Sequence, residues 1–149
     1  MRRMLLVTLF LFFVSLSAQA QAPAAATTPG PVWRVSLYKV KPGKMPEVMA
    51  DLRQNFKVVN DEYKKQGLIV DYKVYTNSTT DSPGDWDIAV ATAYKNWAAL
   101  DDLGRMTDPI TLKHYGTREK RQEAADKRNQ LRDLVSSRLM RELTLNPMP

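Results

Sequence analysis

The chain has no cysteine, one histidine and six glycines in 149 residues. Without cysteine there is no disulfide framework, no thiol nucleophile, no Cys-based zinc site and no c-type haem attachment. A single histidine, His114, rules out a His-rich metal centre within one chain and the two-histidine helix of metalloproteases. The few glycines form neither a phosphate-cradling loop nor a nucleophile elbow. No repeat of solenoid length is present either. The remainder, 44% hydrophobic and 26% charged, is the composition of one globular domain with a modest core.

The N-terminus carries its own signal. Arg2 and Arg3 precede an uncharged run from Met4 to Leu16, and Ser17-Ala18-Gln19-Ala20 then supplies small residues. That pattern predicts a secretory signal peptide over residues 1–20, cleaved after Ala20. The run falls short of the about 20 apolar residues a membrane span needs. Residues 21–31, rich in Ala, Thr and Pro, read as a flexible linker with too little apolar surface to order itself. The folded domain is expected over residues 32–149, and the mature chain loses two arginines from its +6 charge.

Within that domain the hydrophobic period alternates between two and 3.6. Residues 32–41 alternate as a strand, with Trp33, Val35 and Leu37 on one side and Arg34, Ser36 and Tyr38 on the other. Pro42-Gly43 ends it, and Met45, Val48, Met49, Leu52, Phe56, Val59 and Tyr63 then recur at helical steps until Gly67. A second strand over 68–76 opposes Val70, Tyr72 and Val74 to Asp71, Lys73 and Tyr75. Residues 77–85 form a polar loop, and a third strand covers 86–94 without a readable face. Asn96 caps a short helix that Gly104 ends, and the stretch opened by Asp108-Pro109 has no clear pattern. A polar helix over 117–134 and a last strand over 137–145 complete the chain.

The order strand, helix, strand, strand, helix, strand predicts an α+β fold of the ferredoxin-like β-α-β-β-α-β plan, an antiparallel sheet with helices on one face. The greasy sides, Trp33-Val35-Leu37, Val70-Tyr72-Val74 and Leu139-Leu143-Leu145, are expected to hold the long helix. The reverse then carries Arg34, Tyr38, Asp71, Lys73, Tyr75, Arg138 and Glu142, a mixture of charge and phenol. Such a face suits either a polar ligand cleft or a two-fold interface with crossing ion pairs.

Here the chain resembles the dimeric α+β barrel superfamily, in which two ferredoxin-like protomers press sheet against sheet. The resemblance rests on Val40-Lys41-Pro42-Gly43-Lys44-Met45, a strand end turning into a long helix, and on the element order over residues 32–146. It is nearest the NIPSNAP-like and antibiotic-biosynthesis-monooxygenase-like branches. It implies a homodimer with a cleft, in a superfamily that includes cofactor-free monooxygenases, haem-binding enzymes and isomerases, and it selects no reaction.

Three functional readings follow. The first is an exported homodimeric module that binds a small molecule or a partner, without a tightly held cofactor. The second is a cofactor-independent oxidoreductase or isomerase, with His114 as base and Tyr38 or Tyr75 polarising the substrate. His114 also reads as an axial haem ligand or as an ordinary loop histidine. The third is an envelope-surface binder, because residues 113–142 hold nine basic and five acidic residues while 21–112 hold eleven of each. Nucleic acid is not an expected partner, since no stacking platform interleaves with the arginines. Asp81, Asp85 and Asp87 miss the EF-hand spacing and Pro83 interrupts them, so no metal site is expected.

Overall fold

The structure, a computed structural model, describes residues 25–79 and 82–148. The expected signal peptide, the first residues of the expected linker and Asp81 lie outside them. Strand β1 spans Thr27–Val40 and leads through a Pro-Gly turn into α1, Met45–Asp51. A π-helical stretch, Leu52–Lys57, joins α1 directly to α2, Val58–Lys65. Strands β2, Asp71–Thr76, and β3, Ile88–Tyr94, follow. A 3-10 turn at Trp97–Leu100 precedes α3, Leu103–Tyr115, and α4, Arg118–Leu131, and β4 closes at Arg132–Leu145. The sheet order is β2-β3-β1-β4 and every pair is antiparallel. This is the ferredoxin-like plan in order and topology.

The long first helix forms where the apolar stripe requires it. Val48 and Leu52 are buried against Val40, Ile88 and Val90, with Tyr38, Phe56 and Leu131 around them, and Val59 is buried further along the helix. The wide π turn adds a residue to the helical repeat, so the inward phase drifts and Asn60 is buried beside Val59. Gly67 ends the helix at φ 72, a conformation that costs a residue with a Cβ.

Four boundaries differ from the expectation. β1 begins at Thr27, inside the stretch read as a linker, because Thr27, Thr28 and Pro29 pair with Leu145, Thr144 and Leu143. Those residues are ordered by a partner strand rather than by their own apolar surface. Gly104 does not end a helix; it stands in the first turn of α3, and Asn96 caps only the 3-10 turn, accepting from Ala99 N–H at 3.0 Å. Pro109 sits inside α3, where Thr107 and Thr111 donate to neighbouring carbonyls. The polar helix stops at Leu131, and β4 starts at Arg132 rather than at residue 137.

The faces of β1 are the reverse of the expectation. Val32, Ser36 and Val40 are buried under the helices, which puts Arg34 and Tyr38 on the same inward side. Trp33, Val35 and Leu37 point outward. The register explains it: Trp33 lies opposite Met140, Val35 opposite Arg138 and Arg34 opposite Leu139. In β2 and β4 only the side assignment holds, since Tyr72 packs edge-on against Phe56 at 5.6 Å while Arg138 and Met140 share the side of Val35 and Trp33. Val70, Val74, Leu139, Leu143 and Leu145 are exposed and do not hold the long helix as expected. β3 turns Ile88, Val90, Thr92 and Tyr94 inward and a column of Ala89, Ala91 and Ala93 outward.

Candidate functional site

The inversion of β1 builds a polar cleft between sheet and helices. Its floor is Arg34, Ser36 and Tyr38 of β1 with Val90, Thr92 and Tyr94 of β3. Its roof is Phe56, Asn60, Tyr63 and Thr107, and Arg132 closes one end. This compartment has a volume of about 230 Å³. A second compartment of about 260 Å³ continues past Phe56, Asn60 and Arg132 to Asp51, Asn55, Tyr115, Arg121 and Arg128. The π-helical stretch supplies Asn55 and Phe56 to this wall, so the helix irregularity and the cleft coincide.

In the second compartment each cation has an anion. Arg121 donates to Asp108 and, at 3.0 Å, to Thr111 Oγ1; Arg118 lies 3.6 Å from the same carboxylate. Arg121 holds the Asp108 carboxyl below the ordinary range. Arg128 donates to the Tyr115 hydroxyl at 3.1 Å and lies 3.8 Å from Asp51. Much of the basic excess of α4 is therefore spent on the cleft rather than offered to a surface.

The first compartment is different: no carboxylate lines it. Arg132 stacks over the Tyr38 ring at 4.1 Å, and its buried Nη1 has no hydrogen-bond partner. Burial pulls this guanidinium below its ordinary pKa. Arg34 lies over the Tyr94 ring at 5.5 Å. Burial also pushes the phenols of Tyr63 and Tyr94 up. A positively charged, phenol-lined hollow binds anions with an apolar body better than it binds cations.

His114 is elsewhere. Its Nε2 is 2.8 Å from Asn55 Oδ1, and Asn55 Nδ2 donates to Asp51 at 2.7 Å. With the amide so oriented, His114 donates through Nε2. The ring meets Tyr115 edge-on at 4.6 Å and lines a groove of about 530 Å³ with Val58, Met106, Pro109 and Lys113. That groove contains neither Tyr38 nor Tyr75. The structure thus separates the base from both groups paired with it by the second reading, because Tyr38 is in the cleft and Tyr75 is on the outer sheet face.

The remaining face residues also divide. Arg34 and Tyr38 belong to the cleft, whereas Asp71, Lys73, Tyr75, Arg138 and Glu142 belong to the outer face. Lys73 sits 5.3 Å over the Trp33 ring, Glu142 accepts from Trp33 Nε1 at 2.8 Å, and Asp71 pairs with Lys64 at 2.9 Å. Lys64 holds the Asp71 carboxyl low. A shallow hollow of about 270 Å³ on this face is lined by strand residues alone, among them Trp33, Val35, Tyr75, Ala91 and Met140. Asp87, read above as a failed calcium ligand, instead accepts from Val40 N–H at 2.7 Å and Lys39 at 3.1 Å.

Sequence reasoning missed Arg132, Tyr63, Tyr94, Asn55 and Asn60. Tyr63 was visible only as a member of the helical apolar stripe and Tyr94 only as the last residue of a strand without a readable face, and their hydroxyls were the available signal. Arg132 fell inside the expected polar helix, where nothing distinguishes it from a solvated neighbour.

No protein-family model and no curated protein sequence matches this chain. Among solved structures it is similar in fold to HapK from Hahella chejuensis, with a TM-score of 0.52 and 8% identity over 79% of this chain and 98% of that one. A dimeric protein of unknown function and ferredoxin-like fold from Bacteroides fragilis aligns at a TM-score of 0.42 and 18% identity, over 76% and 95% of the two chains. A hypothetical Arabidopsis thaliana protein aligns at 0.47 and 12%, over 80% and 93%.

Proposed function

We propose that this protein is an exported homodimer that binds a small molecule in the sheet–helix cleft of each copy. The observation that carries this reading is the distribution of side chains over the two sides of the sheet. Trp33, Val35, Leu37 and Met140 face outward among Lys73, Tyr75, Arg138 and Glu142, while Arg34, Tyr38 and Tyr94 face inward into the cleft. An uncovered apolar sheet face is a protein interaction surface by default. Its occupant here is a second copy. The exposed Tyr75 and Met140 beside Trp33 offer apolar contact, and the outward charges Asp71, Lys73, Arg138 and Glu142 are balanced in sign, which suits a self-complementary two-fold contact. The inward cleft stays open because arginine and tyrosine cannot be packed dry without partners.

Export is supported by Arg2, Arg3 and the run from Met4 to Leu16, with cleavage after Ala20 leaving β1 whole. The Val40–Met45 turn supports membership of the dimeric α+β barrel superfamily, near its NIPSNAP-like and antibiotic-biosynthesis-monooxygenase-like branches. Native mass spectrometry of the purified protein at micromolar concentration tests the assembly. Two protomers are expected, and a clean monomer overturns the interface.

A further inference from the structure

The tyrosine-lined compartment has an unbalanced charge, and that imbalance names a ligand. Thirteen residues line it, and the only ionised ones near neutral pH are Arg34 and Arg132. Elsewhere around the cleft the structure pairs its cations: Arg121 with Asp108, and Arg128 with Asp51. Arg132 forms no such ion pair among the described residues, with Asp51 of the adjoining compartment attracting it from a distance, and its Nη1 is buried without an acceptor. A guanidinium N–H left unpaired out of water is costly, and native structures rarely keep one without a reason. The stack on Tyr38 holds the guanidinium plane but supplies no acceptor for its edge.

The walls describe the rest of the ligand. Phe56 and Tyr38 contribute aromatic rings to the lining, Ile69, Val90 and Leu103 hydrocarbon, and Tyr63, Tyr94 and Thr107 hydroxyl-bearing side chains. A compartment of about 230 Å³ takes one substituted ring, and the adjoining one of about 260 Å³ leaves room for a substituent past Arg132. One desolvated guanidinium balances one negative charge, and a planar carboxylate matches its paired N–H donors.

We propose that Arg132 anchors the carboxylate of a small ring-bearing monoanion, a benzoate-like acid, whose ring lies against Phe56 and Tyr38 with a ring hydroxyl within reach of the tyrosines. This rests on the cleft-binding reading above and gives it a substrate class. Arg34, at the exposed mouth, attracts the anion without being its anchor.

Isothermal titration of the purified protein with benzoate, 4-hydroxybenzoate and the neutral isostere benzamide tests it. Benzoate should bind at least about tenfold more tightly than benzamide, the margin of a charge-assisted over a neutral pair. Arg132→Met should erase that margin, and Arg132→Lys should restore part of it. Because a buried arginine also packs, the benzoate–benzamide comparison on the unaltered protein decides the matter if Arg132→Met fails to fold. Equal binding of benzoate and benzamide overturns the anion anchor and leaves the cleft reading standing. Saturation by none of the three overturns both. A bound carboxylate found away from Arg132 by crystallography overturns the anchor alone.

Discussion

Trp33 donates its indole N–H to Glu142 at 2.8 Å across the β1–β4 pair, on the side of the sheet turned away from the helices. The largest side chain of β1 is thus held flat on a surface that no described helix covers, with Lys73 stacked on its ring from β2. Glu142 comes from the adjacent β4 and Lys73 from β2, on the far side of β3, so the outer face is organised within one protomer. Preorganised aromatic anchors of this kind dominate interface energetics.

Ala91 is 2% exposed at the centre of that face, beneath Trp33, Tyr75 and Met140. Ala91→Arg should convert the proposed homodimer to a monomer by burying a like charge from each copy in the shared face, a penalty of about 2–5 kcal/mol. Size-exclusion chromatography with light scattering reads the mass directly. A dimer that survives the substitution places the interface elsewhere.

Ile88 is fully buried where β3 meets α1. Ile88→Ala should cost about 2–5 kcal/mol, the transfer loss plus an unfilled cavity. The urea midpoint should fall with little change in slope.

Asp87 holds the Val40 N–H at the point where β1 turns toward α1. Asp87→Ala leaves that donor without its acceptor and should destabilise by about 1–3 kcal/mol. Asp87→Asn keeps an acceptor and should recover most of the loss. Equal stability of all three proteins would show that water replaces the carboxylate there.

Stability should fall at both ends of the pH scale, for opposite reasons. Asp108, Asp61 and Asp71 are lowered by Arg121, by Lys57 and by Lys64 respectively. Their contribution is whole above the ordinary carboxylate pKa of about 4 and drains as pH falls through their folded values. Asp108→Asn should flatten part of that acid limb. Tyr63 and Tyr94 are raised by burial, so their contribution is whole below about pH 10 and is lost as pH rises through their folded values. Absorbance titration at alkaline pH should show their phenolates appearing late, and Tyr63→Phe should remove part of that late phase.

His114 ties α3 to the first helix through Asn55 rather than facing the tyrosine-lined compartment. His114→Ala should therefore cost about 0.5–1.5 kcal/mol, the net value of one hydrogen bond. It should leave the affinity for benzoate unchanged. A large loss of affinity would bring His114 into the binding site.

Much of the fold was legible because it depends on local period. The stripe from Met45 to Tyr63 set the first helix, Gly67 set its end, and the two-residue alternation of β1 and β2 set the strands. The order of those elements limits the topology to few plans, and the observed sheet is one of them. α3 was not legible, because Gly104 and Pro109 read locally as breakers while Ile110, packed beneath, makes the helix worthwhile.

The amino-acid order by itself determined that the first, second and fourth strands each have two unlike sides. It did not determine which side meets the helices, since alternation repeats every two residues and a strand carries no mark of its inward direction. Pairing decided that: once Trp33 lies opposite Met140 and Ser36 bonds Ser137 at 2.9 Å, every side chain of β1 is assigned at once. The same pairing drew residues 27–31 into the sheet and carried Arg132 from an expected solvent-facing helix to the end of a closed cleft. A cleft is made by residues far apart in sequence whose burial is shared, so only the folded chain could bring Arg132 onto Tyr38.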